Sequence, residues 1–70
     1  MMPLTMLQTG ETQTIKKVGG REDTRRFLES LGFTAGGEVT VVARLGGNVI
    51  VSIRDSRVAV SREMAGKIMV

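Results

Sequence analysis

The sequence contains no cysteine, histidine, tryptophan or tyrosine, and each absence removes a class of function. Without cysteine, neither a disulfide nor a thiolate metal site can reinforce a small core. Without histidine, the commonest zinc and iron ligand and the usual general base are missing. The only aromatic residues are Phe27 and Phe33, so the stacking platforms of a single-strand nucleic-acid binder are absent. No apolar run approaches the roughly 18 residues needed to span a bilayer. The opening Met1-Met2-Pro3-Leu4-Thr5-Met6-Leu7 lacks the basic and continuous apolar blocks of a secretion signal, and a cytoplasmic location is expected. No nucleophile has a base partner, and the glycine pairs fit neither a dinucleotide fingerprint nor a phosphate loop. An enzyme is not expected.

What is present fits one small domain over residues 1–70. The net charge is +3 and the isoelectric point about 10.2, which raises a nucleic-acid reading. Its arrangement weakens that reading, because Glu22, Asp23 and Glu29 interleave with Lys16, Lys17, Arg21, Arg25 and Arg26. The carboxylates of Glu11, Glu38, Asp55 and Glu63 could offer oxygen to a hard cation, but they are scattered among turns and strand ends, where solvated charges belong. No cofactor is expected, and at most weak binding of ferrous or another divalent ion.

Hydrophobic period changes once along the chain. Thr12 to Val18 has the β-branched content of a first strand, although Ile15 and Val18 cannot share a face of a flat strand, so a bulge or strand end is expected near Lys17. From Arg21 to Leu31 the pattern is helical, with Thr24, Phe27, Leu28 and Leu31 on one apolar stripe, and both Phe27 and Phe33 are expected in the core. Glu22 with Arg26, and Arg25 with Glu29, are spaced to pair along the helix. Gly32 suits the left-handed position that ends a helix, and Phe33 is placed to fold back onto Leu28.

After Gly36 the chain alternates. Val39, Val41, Ala43 and Leu45 share one face, and Val49, Val51 and Ile53 do so across Gly46-Gly47, which predicts a hairpin. Val42 and Ile50 imply partial cover on the second face. A turn at Asp55-Ser56 leads to a strand over Arg57-Val58-Ala59-Val60. Ser61 is placed to cap one helical turn ended by Gly66, and Ile68 and Val70 close the chain on one face. The expected fold is mainly β: about five short strands, one helix between the first and second, and closure of first on last strand to hide the edges.

The run Leu28-x-x-Leu31-Gly32-Phe33-x-x-Gly36-x-x-Val39-x-Val41 resembles the signature of the FeoA family. Met2-Pro3-Leu4 with Leu7 and Gly10-Glu11 resembles the family's opening, and Arg57 to Val60 followed by Glu63-Met64-Ala65 resembles its closing strand and turn. The hairpin departs from the family pattern, since Ala43-Arg44 precedes Leu45-Gly46 where many members carry proline. The resemblance implies an SH3-like β-barrel and a cytosolic accessory of bacterial ferrous iron uptake, acting on the membrane transporter FeoB through its cytoplasmic GTPase region. Two other readings compete: a small nucleic-acid-binding barrel, and a metal-sensing domain like the C-terminal module of DtxR-type repressors. For the transporter reading, the partner-contacting residues are placed at the helix and its exit: Arg25, Arg26 and Glu29 exposed, with Leu28 and Phe33 supporting them or partly presented.

Overall fold

The computed structural model describes residues 1–70. A 3₁₀ turn over Leu4–Met6 precedes β1 (Thr12–Thr14), β2 (Lys17–Val18), helix α1 (Glu22–Ser30), β3 (Glu38–Leu45), β4 (Asn48–Ile53), β5 (Ser56–Ser61), the single turn α2 (Arg62–Ala65) and β6 (Ile68–Met69). The strands form a four-stranded sheet of order β1-β3-β4-β5 and a two-stranded sheet of β2 with β6. All pairings are antiparallel. A mainly β fold with one principal helix, between β2 and β3, is therefore observed, and the expected closure occurs where β2 meets β6.

The expected first strand is two strands, making six rather than five. The cause is visible in consecutive amides. Ile15 is still bonded beside β3, donating to the Gly37 carbonyl (2.8 Å) and accepting from Gly36 (2.8 Å), whereas the Lys16 amide goes to Met69 (2.8 Å). The chain changes sheets at this corner, slightly earlier than the break expected at Lys17. Both Ile15 and Val18 are thereby buried, which resolves their conflicting phase. The termini complete this side of the barrel: Met2 and Val70 exchange amide-to-carbonyl bonds of 2.9 and 2.8 Å.

The β3–β4 hairpin turns at Gly46-Gly47, with Leu45 opposite Asn48. Gly46 has φ +59 as the first central residue, the position at which a two-residue hairpin of type II′ calls for glycine. A register shift lies between Val41 and Ala43, so the expected alternation fails there. Val39 and Val41 point into the core, but past the bulge Arg44 stands opposite buried Val49 and Leu45 turns outward. The next turn also moves: Ile53 pairs with Ser56, so Arg54 and Asp55 form it, with φ of +49 and +64, rather than Asp55-Ser56. Positive φ at both central residues is the type I′ pattern, which Asn-Gly fills without strain.

The core is one cluster of 15 buried apolar residues, with Phe33, Leu4, Leu7, Ile15 and Leu28 the largest fully enclosed side chains. No charged or polar side chain is buried. Ser61 caps α2 as expected, its Oγ accepting from the Met64 amide at 3.2 Å. No helix is long and apolar enough to cross a membrane.

Candidate protein-interaction surface

The opening turn of α1 carries Glu22 and Asp23, where negative charge complements the helix dipole. Its last turn has no basic residue. The helix ends in a full Schellman motif: Gly32, at φ +111, donates its amide to Glu29 (3.0 Å), and Phe33 donates to Leu28 (3.1 Å). Phe33 and Leu28 are both completely buried, so the hydrophobic contact of the motif is part of the barrel core. This motif sets which face of α1 is available to a partner.

Arg25, Arg26 and Glu29 lie exposed together on the outer face of α1. Leu28 and Phe33 do not join them; of the two roles expected for this pair, the structure assigns support. Only one of the two expected ion pairs forms. Arg26 Nη2 meets Glu22 Oε1 at 2.8 Å, with both side chains mostly in solvent, and such a pair contributes about 0.3–0.5 kcal/mol at best. Arg25 and Glu29 do not come within ion-pair distance, which leaves the Arg25 guanidinium uncommitted.

Phe27 is the main correction on the helix. Expected in the core stripe, it is 49% exposed. The core-facing line is Thr24–Leu28–Leu31, narrower than the apolar pattern, and Phe27 sits at its border beside Ser30, whose Oγ donates to the Phe27 carbonyl (2.6 Å). A large aromatic side chain therefore lies against solvent on the flank of α1 that also carries Asp23 and Ser30, around the helix from Arg25 and Arg26. Apolar periodicity alone assigns it inward; a nine-residue helix packed across the end of a small barrel has room to bury fewer positions.

A third arginine was not legible as part of this surface. Arg54, from the β4–β5 turn, reaches the helix exit: its Nη2 lies 3.3 Å from Thr34 Oγ1, and its Cδ would be 3.6 Å from a Cβ built on Gly32. It brings positive charge to the end of the helix that lacks any, where the dipole favours it. Leu45, at the hairpin end of β3, and Met6, of the N-terminal turn, are also largely exposed. They flank Arg44, whose Nη2 donates to the carbonyls of Thr5 (3.0 Å) and Leu7. That arginine is a strut between hairpin and N-terminal segment; it stays exposed, but the bulge puts it on the side of the sheet that carries Val49.

The surface bears no pocket, and no three acidic, cysteine or histidine side chains converge on a point that could hold a metal. The carboxylate of Glu11, one of the scattered four, instead accepts the Gln8 amide (3.0 Å). What the arrangement offers chemically is an exposed face with Arg25 and Arg26, and one exposed aromatic side chain on the flank of the same helix.

Residues 2–70 match the model of the FeoA domain. The chain is 34% identical over its full length to the Fe(2+) transport protein A of Methanocaldococcus jannaschii, covering 85% of that protein. Among solved structures, it superposes on an FeoA described as an iron uptake regulatory protein with a TM-score of 0.87 and 27% identity, over 96% of this chain and 89% of the other. It superposes on the zinc complex of Stenotrophomonas maltophilia FeoA, described as an SH3 domain protein, with a TM-score of 0.86 and 25% identity, over 99% and 88%.

Proposed function

The chain belongs to the FeoA domain family, whose proteins serve ferrous iron transport, and from that premise we propose that it is a cytoplasmic protein-interaction module of a ferrous iron transporter. Its partner in this reading is the cytoplasmic GTPase region of a FeoB-type transporter, and its contact face is the outer side of α1. The observation that carries the proposal is Phe27: about half exposed, on a helix whose core-facing residues are already anchored, and on the flank between that core-facing line and the outer face that holds Arg25 and Arg26. Aromatic and arginine side chains supply most of the binding energy in protein interfaces. The unpaired Arg25 and the net positive charge favour an acidic partner and faster encounter. Glu29 in the same face fixes orientation by rejecting a uniformly acidic one.

An SH3-like barrel does not by itself imply proline-rich ligands. Those need a groove walled by aromatic side chains, and here Phe33 is fully buried and Phe27 stands alone. The test is an amide-resolved NMR titration of the labelled chain with the transporter's GTPase region, with and without guanine nucleotide. Shifts concentrated on Arg25, Arg26, Phe27, Glu29 and Arg54 are expected. A spectrum unchanged at high micromolar partner would sink the proposal.

A further inference from the structure

The four-stranded sheet ends on β5, and no strand pairs with the outer side of that edge. The outward backbone groups can be assigned from register. The Arg62 amide donates to Gly47 (2.9 Å), and Ser61 stands opposite Asn48. In an antiparallel ladder this makes Ser61–Asn48 a non-hydrogen-bonded pair, and by alternation Ala59–Ile50 and Arg57–Ser52 as well. The N–H and C=O groups of Arg57 and Ala59 therefore point away from β4, and neither residue has a backbone partner outside the strand ladders. Edges of this kind are usually blunted by proline, several charges or a covering element. Here Ser56-Arg57-Val58-Ala59-Val60-Ser61 has no proline and one charge. β1, at the other side of the sheet, is only three residues long and runs into the corner at Lys16.

We propose that β5 is a self-association edge that pairs antiparallel with β5 of a second copy of this chain, across a two-fold axis at Ala59. The segment is close to palindromic about that residue, with Val58 and Val60 on either side, then Arg57 and Ser61. Centring on Ala59 makes Ala59 face Ala59 of the second copy as a hydrogen-bonded pair, and Arg57 face Ser61. Every outward group of Arg57 and Ala59 then finds a partner. The charge pattern agrees: the two Arg57 side chains end up four residues apart along the strands, about 13 Å, beyond the roughly 8 Å screening length at physiological salt. Side-chain rows agree too. Ala43, Ile50 and Ala59 form one row across the outer face, and the two-fold continues it into the same row of the second copy, joining the two sheets into one.

A single strand pairing of this length buries only several hundred Å², below the roughly 1,200 Å² of stable complexes. Association is therefore weak and governed by concentration, as suits a module that is clustered rather than permanently dimeric.

Sedimentation equilibrium should show a reversible monomer–dimer equilibrium, monomer when dilute and increasingly dimer as the protein is concentrated. In a mixed-label sample, Val58 Hα of one copy should show a cross-peak to Val60 Hα of the other. Ala59→Pro removes an outward N–H that the internal ladder does not use and should leave the protein monomeric throughout. Ala59→Glu, which sets like charges opposite each other on an exposed position, should do the same and guards against misfolding of the proline variant. A wild-type protein monomeric at the highest concentration would overturn the proposal, as would dimers that persist in both variants. So would a monomer whose Ala59→Pro variant loses transporter binding, which would give the edge to a partner strand.

Discussion

Gly32→Ala isolates the backbone conformation at the helix exit from every question of space. A methyl built at this position meets its nearest neighbours, Arg54 Cδ and two Ile53 carbons, at 3.6 to 3.9 Å, ordinary van der Waals contact. The cost is therefore conformational. At φ +111 the residue lies well beyond the left-handed helical region that other residues occasionally visit, and holding a side chain in so sparsely populated a region costs about 1–3 kcal/mol. The alternative is for the chain to abandon that φ, which would break the bonds from Gly32 to Glu29 and from Phe33 to Leu28 and shift fully buried Phe33. A domain of this size has a total stability of roughly 3.5–10 kcal/mol, so a loss of about 2 kcal/mol lowers the melting temperature by roughly 8–16 °C. Thermal melts followed by far-ultraviolet circular dichroism read this directly, and valine should be worse than alanine. The control is Gly47→Ala: Gly47 has no positive φ and open space around its Cβ direction, so it should melt within about 2 °C of the parent. If Gly32→Ala melts where the parent does, the account of the helix ending is wrong.

Three further outcomes follow from the turns and caps. Replacing Arg54-Asp55 by Asn-Gly relieves two positive-φ residues and should raise stability by about 1 kcal/mol, seen as a higher urea midpoint; a fall would mean the Arg54–Thr34 contact outweighs the strain. Ser61→Ala removes the acceptor for the Met64 amide and should cost about 1 kcal/mol, measured in the same unfolding series. Arg44→Ala frees the carbonyls of Thr5 and Leu7, and hydrogen exchange should quicken selectively at the Met6 and Leu7 amides, which bond to Pro3 and Leu4, while the β3–β4 ladder stays protected.

Features legible in the sequence were those set by a local chemical requirement. Gly32 followed by Phe33 gave the Schellman ending, Gly46-Gly47 the hairpin, and Ser61 the cap, because each is decided within a few residues. The features that escaped depend on distant partners. Whether Thr12 to Val18 is one strand or two depends on where β6 arrives, and Lys16 carries no mark of that. The bulge at Val42 depends on pairing with β4, and it reverses the expected faces of Arg44 and Leu45. The Arg54-Asp55 turn was misplaced because arginine seldom accepts positive φ. On the candidate surface, Arg25, Arg26 and Glu29 were recognisable as an exposed helix face. Phe27 was not, since its spacing matches the core stripe, while the line that packs inward, Thr24–Leu28–Leu31, leaves it at the border and about half exposed. Arg54 joins the surface through tertiary folding alone.

The central claim is that α1 presents to the transporter an outer face with Arg25 and Arg26 and, on its flank, the exposed Phe27, and Phe27→Ala tests it most directly. Phe27 is about half exposed, so this variant should lose about 1 kcal/mol of stability and stay folded, while its affinity for the transporter's GTPase region falls at least about tenfold. An affinity equal to that of the parent, with the fold intact, would contradict the account.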